Sequence, residues 1–193
     1  IGGQLNVPGL PGDTVGAGFV YSKGAVGYAL SGGVNLGYLS GNTVTVGVGA
    51  DAVYAAPGLL AGQATGSLQL TDAWSINAHY EHVWTPALRT SIYGGFAEVK
   101  YSGGGKTVIC GGACVGGLNP DYSLWLIGSR TQWAPWGGQL NIGVDLLYAA
   151  YQTSVPVVGP VPIPTTAGAA NLGGKVIGDT DNFSVMFRVQ RNW

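Results

Sequence analysis

The densest titratable chemistry in the chain is the run His79-Tyr80-Glu81-His82. Two imidazoles and a carboxylate this close are the donor types of a metal site or of acid–base catalysis. The run lies inside a stretch that alternates every second residue. In a strand, successive side chains point to opposite faces, so His79 and His82 diverge and cannot share an ion. His79 and Glu81 do share a face, but no nucleophile accompanies them. The expectation is therefore no metal site, no cofactor and no catalytic activity.

Two further motifs carry possible chemistry. Gly103-Gly104-Gly105-Lys106-Thr107 resembles a phosphate-cradling loop, but such a loop must open a helix, and no helix is expected to follow it. Cys110 and Cys114 stand in Cys-Gly-Gly-Ala-Cys, with no other Cys or His nearby to complete a metal site. The flanking glycines let this short loop close as a disulfide in an oxidising compartment. Net charge is −1 with no basic run, which gives nucleic-acid binding no electrostatic support.

What must position these residues is legible from composition and period. Only 9% of residues are charged and 35 are glycine, where soluble domains carry roughly 25% charge. No apolar run approaches about 18 residues, so a membrane helix is not expected. Instead, apolar and polar residues alternate over segments of about ten residues separated by turns, the pattern of transmembrane β-barrel strands. Over 73–84, Trp74, Ile76, Ala78, Tyr80, His82 and Trp84 share one face, and Ser75, Asn77, His79 and Glu81 the other. Trp74 and Trp84 would stand roughly 33 Å apart along the strand. At a tilt of about 40° this spans roughly 25 Å, the height of an apolar band between two aromatic girdles.

The same pattern predicts strands at 14–22, 25–38, 43–54, 89–101, 122–133, 139–151 and 182–193, making about eight. Residues 1–12 read as a leading loop and 13–193 as barrel strands. Long connections are expected at 55–71, 102–121 and 152–181. They alternate with tight turns at Ser40-Gly41-Asn42, Thr85-Pro86 and Pro135-Trp136-Gly137-Gly138. In such barrels the short turns face the periplasm and the long loops face outside. The girdle set is then Trp74, Tyr80, Trp84, Tyr93, Tyr101, Trp125, Trp133, Tyr148 and Trp193, with His82 and Arg191 as polar exceptions near the periplasmic rim. The inward, pore-lining set is Asp51, His79, Glu81, Glu98, Lys100, Arg130, Asp145 and Arg188. Leu124 and Leu126 break the pattern on the polar side.

The stretch from His79 through Pro86 and Arg89 to Gly95 resembles the general porins of alphaproteobacteria. So do Ser129-Arg130-Thr131-Gln132-Trp133-Ala134-Pro135 and Leu140-Asn141-Ile142-Gly143-Val144-Asp145. The most specific match is Phe187-Arg188-Val189-Gln190-Arg191-Asn192-Trp193, where the family tail usually reads Arg-Val-Gln-Arg-Asn-Phe. The resemblance covers roughly 25–193 and implies a barrel of sixteen strands that assembles as a homotrimer among outer-membrane lipid and lipopolysaccharide. Small hydrophilic solutes and ions diffuse through such a barrel. By the same resemblance this chain corresponds to the C-terminal half, without the half that bears the inward constriction loop, and Trp193 takes the place of the sorting aromatic. The alternative expectation is a small, complete eight-stranded barrel with a structural or adhesion role; a soluble secreted sandwich is a third.

Overall fold

The computed structural model describes residues 1–30, 35–110, 114, 119–153, 163–165, 168–170 and 176–191. Among these residues, thirteen strands and two short α-helices run in the order β1 (Gly2–Asn6), β2 (Thr14–Lys23), α1 (Val26–Ala29), β3 (Asn35–Ser40), β4 (Thr43–Val48), β5 (Ala52–Ala55), β6 (Ser67–Thr85) and β7 (Leu88–Tyr101), then α2 (Gly103–Cys110), β8 (Tyr122–Trp133), β9 (Leu140–Thr153), β10 (Ile163–Thr165), β11 (Gly168–Ala170), β12 (Val176–Ile177) and β13 (Thr180–Arg191). The protein is all-β and largely antiparallel. Its main sheet has eight strands along the path β1-β2-β6-β7-β8-β9-β13, with β5 pairing the same edge of β6 as β2. The sheet is open, with β1 and β13 at its edges.

Six predicted strands are present as β2, β6, β7, β8, β9 and β13. Two are not. At Gly24 the backbone turns left-handed (φ 73°), which glycine adopts without strain, and the chain leaves the sheet. The expected strand 25–38 is therefore replaced by α1 and by β3, which pairs with β4 in a separate hairpin. The expected strand 43–54 breaks between β4 and β5. In return, the expected leading loop contributes β1, which pairs Gly2–Asn6 with Thr14–Gly18. The column gained is short, five residues long.

Connections are sorted by end. Those between β1 and β2, β6 and β7, and β8 and β9 are short and lie at one end, the turn end. Those after β2, β7 and β9 are long and lie at the other, the loop end. Every neighbouring pair on the main path is antiparallel. Seven such columns leave the two edge strands, β1 and β13, running in the same direction.

The loop-end connections are not structureless. The segment 102–121 carries α2, whose start is capped by Ser102 Oγ accepting from Gly105 N at 3.1 Å. The helix begins within the glycine run itself, correcting the expectation that none would be found there. Lys106 Nζ meets Asp121 Oδ2 at 2.5 Å, and Asp121 also accepts from Tyr101 N at 2.8 Å. Cys110 and Cys114 form a disulfide, as the spacing anticipated.

Candidate functional site

The register assigns every wall residue to one of two faces. The first face carries Val15, Phe19 and Tyr21 on β2; Trp74, Ile76, Tyr80 and Trp84 on β6; Ile92 and Phe96 on β7; Trp125, Ile127 and Trp133 on β8; Ile142, Val144, Leu146 and Tyr148 on β9; and Phe183, Val185, Phe187 and Val189 on β13. These side chains are largely uncovered; Ile92 is 54% and Phe187 67% exposed. Soluble monomers seldom expose contiguous apolar patches larger than a few hundred Å². This face extends over six strands.

At the loop end the band finishes in aromatics whose polar tips reach carboxylates. Tyr21 Oη donates to Asp72 at 2.6 Å, Trp74 Nε1 to Glu98 at 2.8 Å and Tyr148 Oη to Asp181 at 2.9 Å. Each ring lies on the apolar face and each polar atom meets a carboxylate at its rim. The upper limit of the band steps along the sheet: Tyr21 is level with Trp74, Phe96 and Trp125 lie two residues lower, and Tyr148 and Phe183 two lower again. That is ~13 Å of descent over ~14–24 Å of sheet width at standard spacings, so the strands cross the band at roughly 30–45°, within the range of barrel strands.

The second face is divided in two. Toward the loop end it is covered by the segment between β2 and β5, and Ala73, Val99, Tyr101 and Tyr122 pack there with Val26 and Ala29 in a buried cluster. Toward the turn end it is open and polar. Arg130 donates from Nε to Asp145 Oδ1 (2.6 Å) and from Nη2 to Oδ2 (2.9 Å), a two-pronged pair directly across β8 and β9. Glu81 accepts from Ser91 Oγ at 3.0 Å and lies 3.7 Å from Arg89 Nη1. His79 lies flat over Gly16, where an added Cβ would sit 2.4 Å from the ring, and Tyr93 lies over Gly128 in the same way. The facing glycines are what let these rings lie along the wall. Arg188 shares the face from β13.

Three corrections follow. Glu98 and Lys100 are not on the polar face: Glu98 stands opposite Trp74 and Lys100 opposite Asp72, so both belong to the loop-end rim of the apolar face, where Lys100 Nζ meets Glu98 Oε2 at 2.9 Å. Tyr93 and Tyr101 move the other way, standing opposite His79 and Thr71. The cause is that β7 has apolar residues on both sides. Its Val99 and Tyr101 pack against the inserted segment. Asp51 is on no wall strand; it accepts from Val26 N through Oδ1 at 2.7 Å and so holds α1. Trp74, Tyr80, Trp84, Trp125, Trp133 and Tyr148 share the apolar face as expected, whereas Trp193 lies outside the described residues.

Sequence reasoning missed Asp13. It is 1% exposed in the β1–β2 connection, and its carboxylate takes Tyr80 Oη at 2.6 Å, the His82 ring at 2.7 Å and Val83 N at 2.9 Å. His82 is thus a staple at the turn end, stacked edge-on to Trp84 at 4.2 Å. The only sequence signal was a carboxylate just before a strand. The hydrogen bonds from His82 first, then Tyr80 and Val83, lower the Asp13 pKa to about 2. A depressed carboxylate pKa contributes stability that is complete above the unfolded value of about 4 and disappears as pH falls to about 2. Amide exchange at Val83 is expected to accelerate over that window in the wild type, with no such step in Asp13→Asn. A flat wild-type profile would contradict the staple.

No family model, curated protein or solved structure matches the chain.

Proposed function

We propose that this chain is part of the wall of an outer-membrane porin, a channel and not an enzyme, through which small hydrophilic solutes and ions diffuse passively. The observation that carries the reading is the two-faced sheet. One face is an oblique apolar band edged by hydrogen-bonded aromatics, suited to lipid; the other, at the turn end, is an open wall of Arg130, Asp145, Glu81, Arg89 and His79, suited to water. Mixed charge in paired form makes a weakly selective wall, because each carboxylate offsets a neighbouring cation.

The edges favour a barrel that includes strands beyond the seven columns of this sheet. Strands β1 and β13 run the same way, so antiparallel closure needs an odd number of further strands. A barrel made only of these seven columns would need a parallel seam. Outer-membrane location, lipopolysaccharide contact and trimeric assembly belong to the same proposal and rest on the resemblance of the motifs.

In planar bilayers, the intact gene product should give steps of constant, voltage-independent conductance in both salt and small organic electrolytes. A correctly inserted, protease-resistant protein without any conductance would overturn the porin reading.

A further inference from the structure

The polar wall is neutralised along most of its turn-end half, but not at its margin. Arg130 has both prongs on Asp145, and Glu81 takes Ser91 Oγ. One row nearer the turns, the register aligns Arg89 on β7, Gln132 on β8, Gly143 on β9 and Arg188 on β13, all on the polar face. This row holds donors and no carboxylate. Arg188 is exposed, and among the described residues neither it nor the Gln132 amide has a hydrogen bond or an ion pair. Arg89 stands 3.7 Å from Glu81, beyond hydrogen-bond distance, with its side chain 47% exposed. Gly143 leaves the wall open between Gln132 and Arg188, since a Cβ added there would meet nothing closer than 3.7 Å.

We propose that this row is a binding station for solute anions, small carboxylates and phosphates, at the turn-end mouth of the channel, with Arg188 as its main cation. The site is read from the register; its place in a channel rests on the porin reading, which it deepens by naming a solute class. A free guanidinium meets two oxygens of a carboxylate or phosphate at once, and Arg130 cannot do so because Asp145 already fills its fork. Arg89 and Arg188 are three strand spacings apart, roughly 14 Å between backbones. An anion held between them is therefore about 7 Å from either strand, inside the screening length of about 8 Å at physiological salt. The Gln132 amide supplies a further donor from the same row, and the gap at Gly143 gives the anion room beside Arg188.

Two measurements on the intact gene product test the station. In detergent, the wild type should broaden the phosphorus NMR line of inorganic phosphate. The broadening should fall severalfold in Arg188→Gln and return in Arg188→Lys. Lys23→Gln, which removes the same charge at the loop-end rim of the apolar face, should leave it unchanged. In planar bilayers under a potassium phosphate gradient, Arg188→Glu should lower the anion-to-cation permeability ratio roughly twofold, the effect of a charge felt at about 7 Å through water and salt. Equal broadening by the wild type and Arg188→Gln, or a permeability ratio that Arg188→Glu leaves unchanged, would overturn the station. Broadening that depends on Arg188 in a protein that passes no current would instead sink the porin reading and leave the anion site standing.

Discussion

Arginine in place of Ala78 should destabilise the membrane-inserted protein by about 2–4 kcal/mol, whereas arginine in place of the adjacent Asn77 should change it by no more than about 0.5 kcal/mol. The two positions are consecutive on β6 and both exposed, but they belong to opposite faces. Ala78 lies near the middle of the span from Trp74 to Trp84, with Ala17 and Gly94 on either side. A guanidinium there is too far from either rim to reach water easily. Asn77 faces the polar side, where the new charge stays hydrated. Propensity cannot produce the contrast, because the same residue is introduced into the same strand. Denaturant titration of the intact gene product in lipid vesicles measures both. Equal costs at the two sites would mean that the apolar face does not meet lipid.

The second large effect concerns closure. Produced alone in detergent, the 193-residue chain should form no monodisperse, heat-resistant barrel. Its edges β1 and β13 are parallel to each other, and each has a ladder partner in the main sheet on one side only. In hydrocarbon each unsatisfied group costs several kcal/mol, so an open sheet does not persist there. A second copy does not solve the problem. With both copies inserted in the same sense, β1 of one would meet β13 of the other in parallel. Addition of strands in odd number restores antiparallel pairing at both edges. Size-exclusion chromatography and heat-modifiable electrophoresis distinguish the outcomes: broad or aggregated species agree with the topology, and a sharp, heat-modifiable monomer would contradict it.

How much of this was readable in the sequence depended on what covers each face. β6 was legible because one side meets only apolar surroundings and the other only polar ones at its turn end, so Trp74 to Trp84 alternate cleanly. β9 and β13 were legible for the same reason. β7 was not: Ile92 and Phe96 lie on the band, while Val99 and Tyr101, on the opposite face, pack in one buried cluster with Val26 and Ala29. Alternation in one strand cannot tell lipid from a protein core, since both exclude water. Glu98, Lys100, Tyr93 and Tyr101 were misassigned together for that single reason. The stretch after β2 failed differently. Val26, Tyr28 and Leu30 alternate as a strand would, but the left-handed turn at Gly24 redirects the chain first. β1, with two glycines in five residues, has no pattern to read and exists through its partner β2. The Asp13 staple joins positions 67 to 70 residues apart, a distance over which no local spacing carries information.

A spin-label scan of residues 73–84 on β6 tests most directly whether this sheet is a membrane wall. In the intact gene product reconstituted in lipid, labels at 74, 76, 78, 80 and 84 should collide with dissolved oxygen, and labels at 75, 77, 79 and 81 with a water-soluble nickel chelate, in strict alternation. Loss of that alternation, or a scan in the opposite phase, would contradict the account.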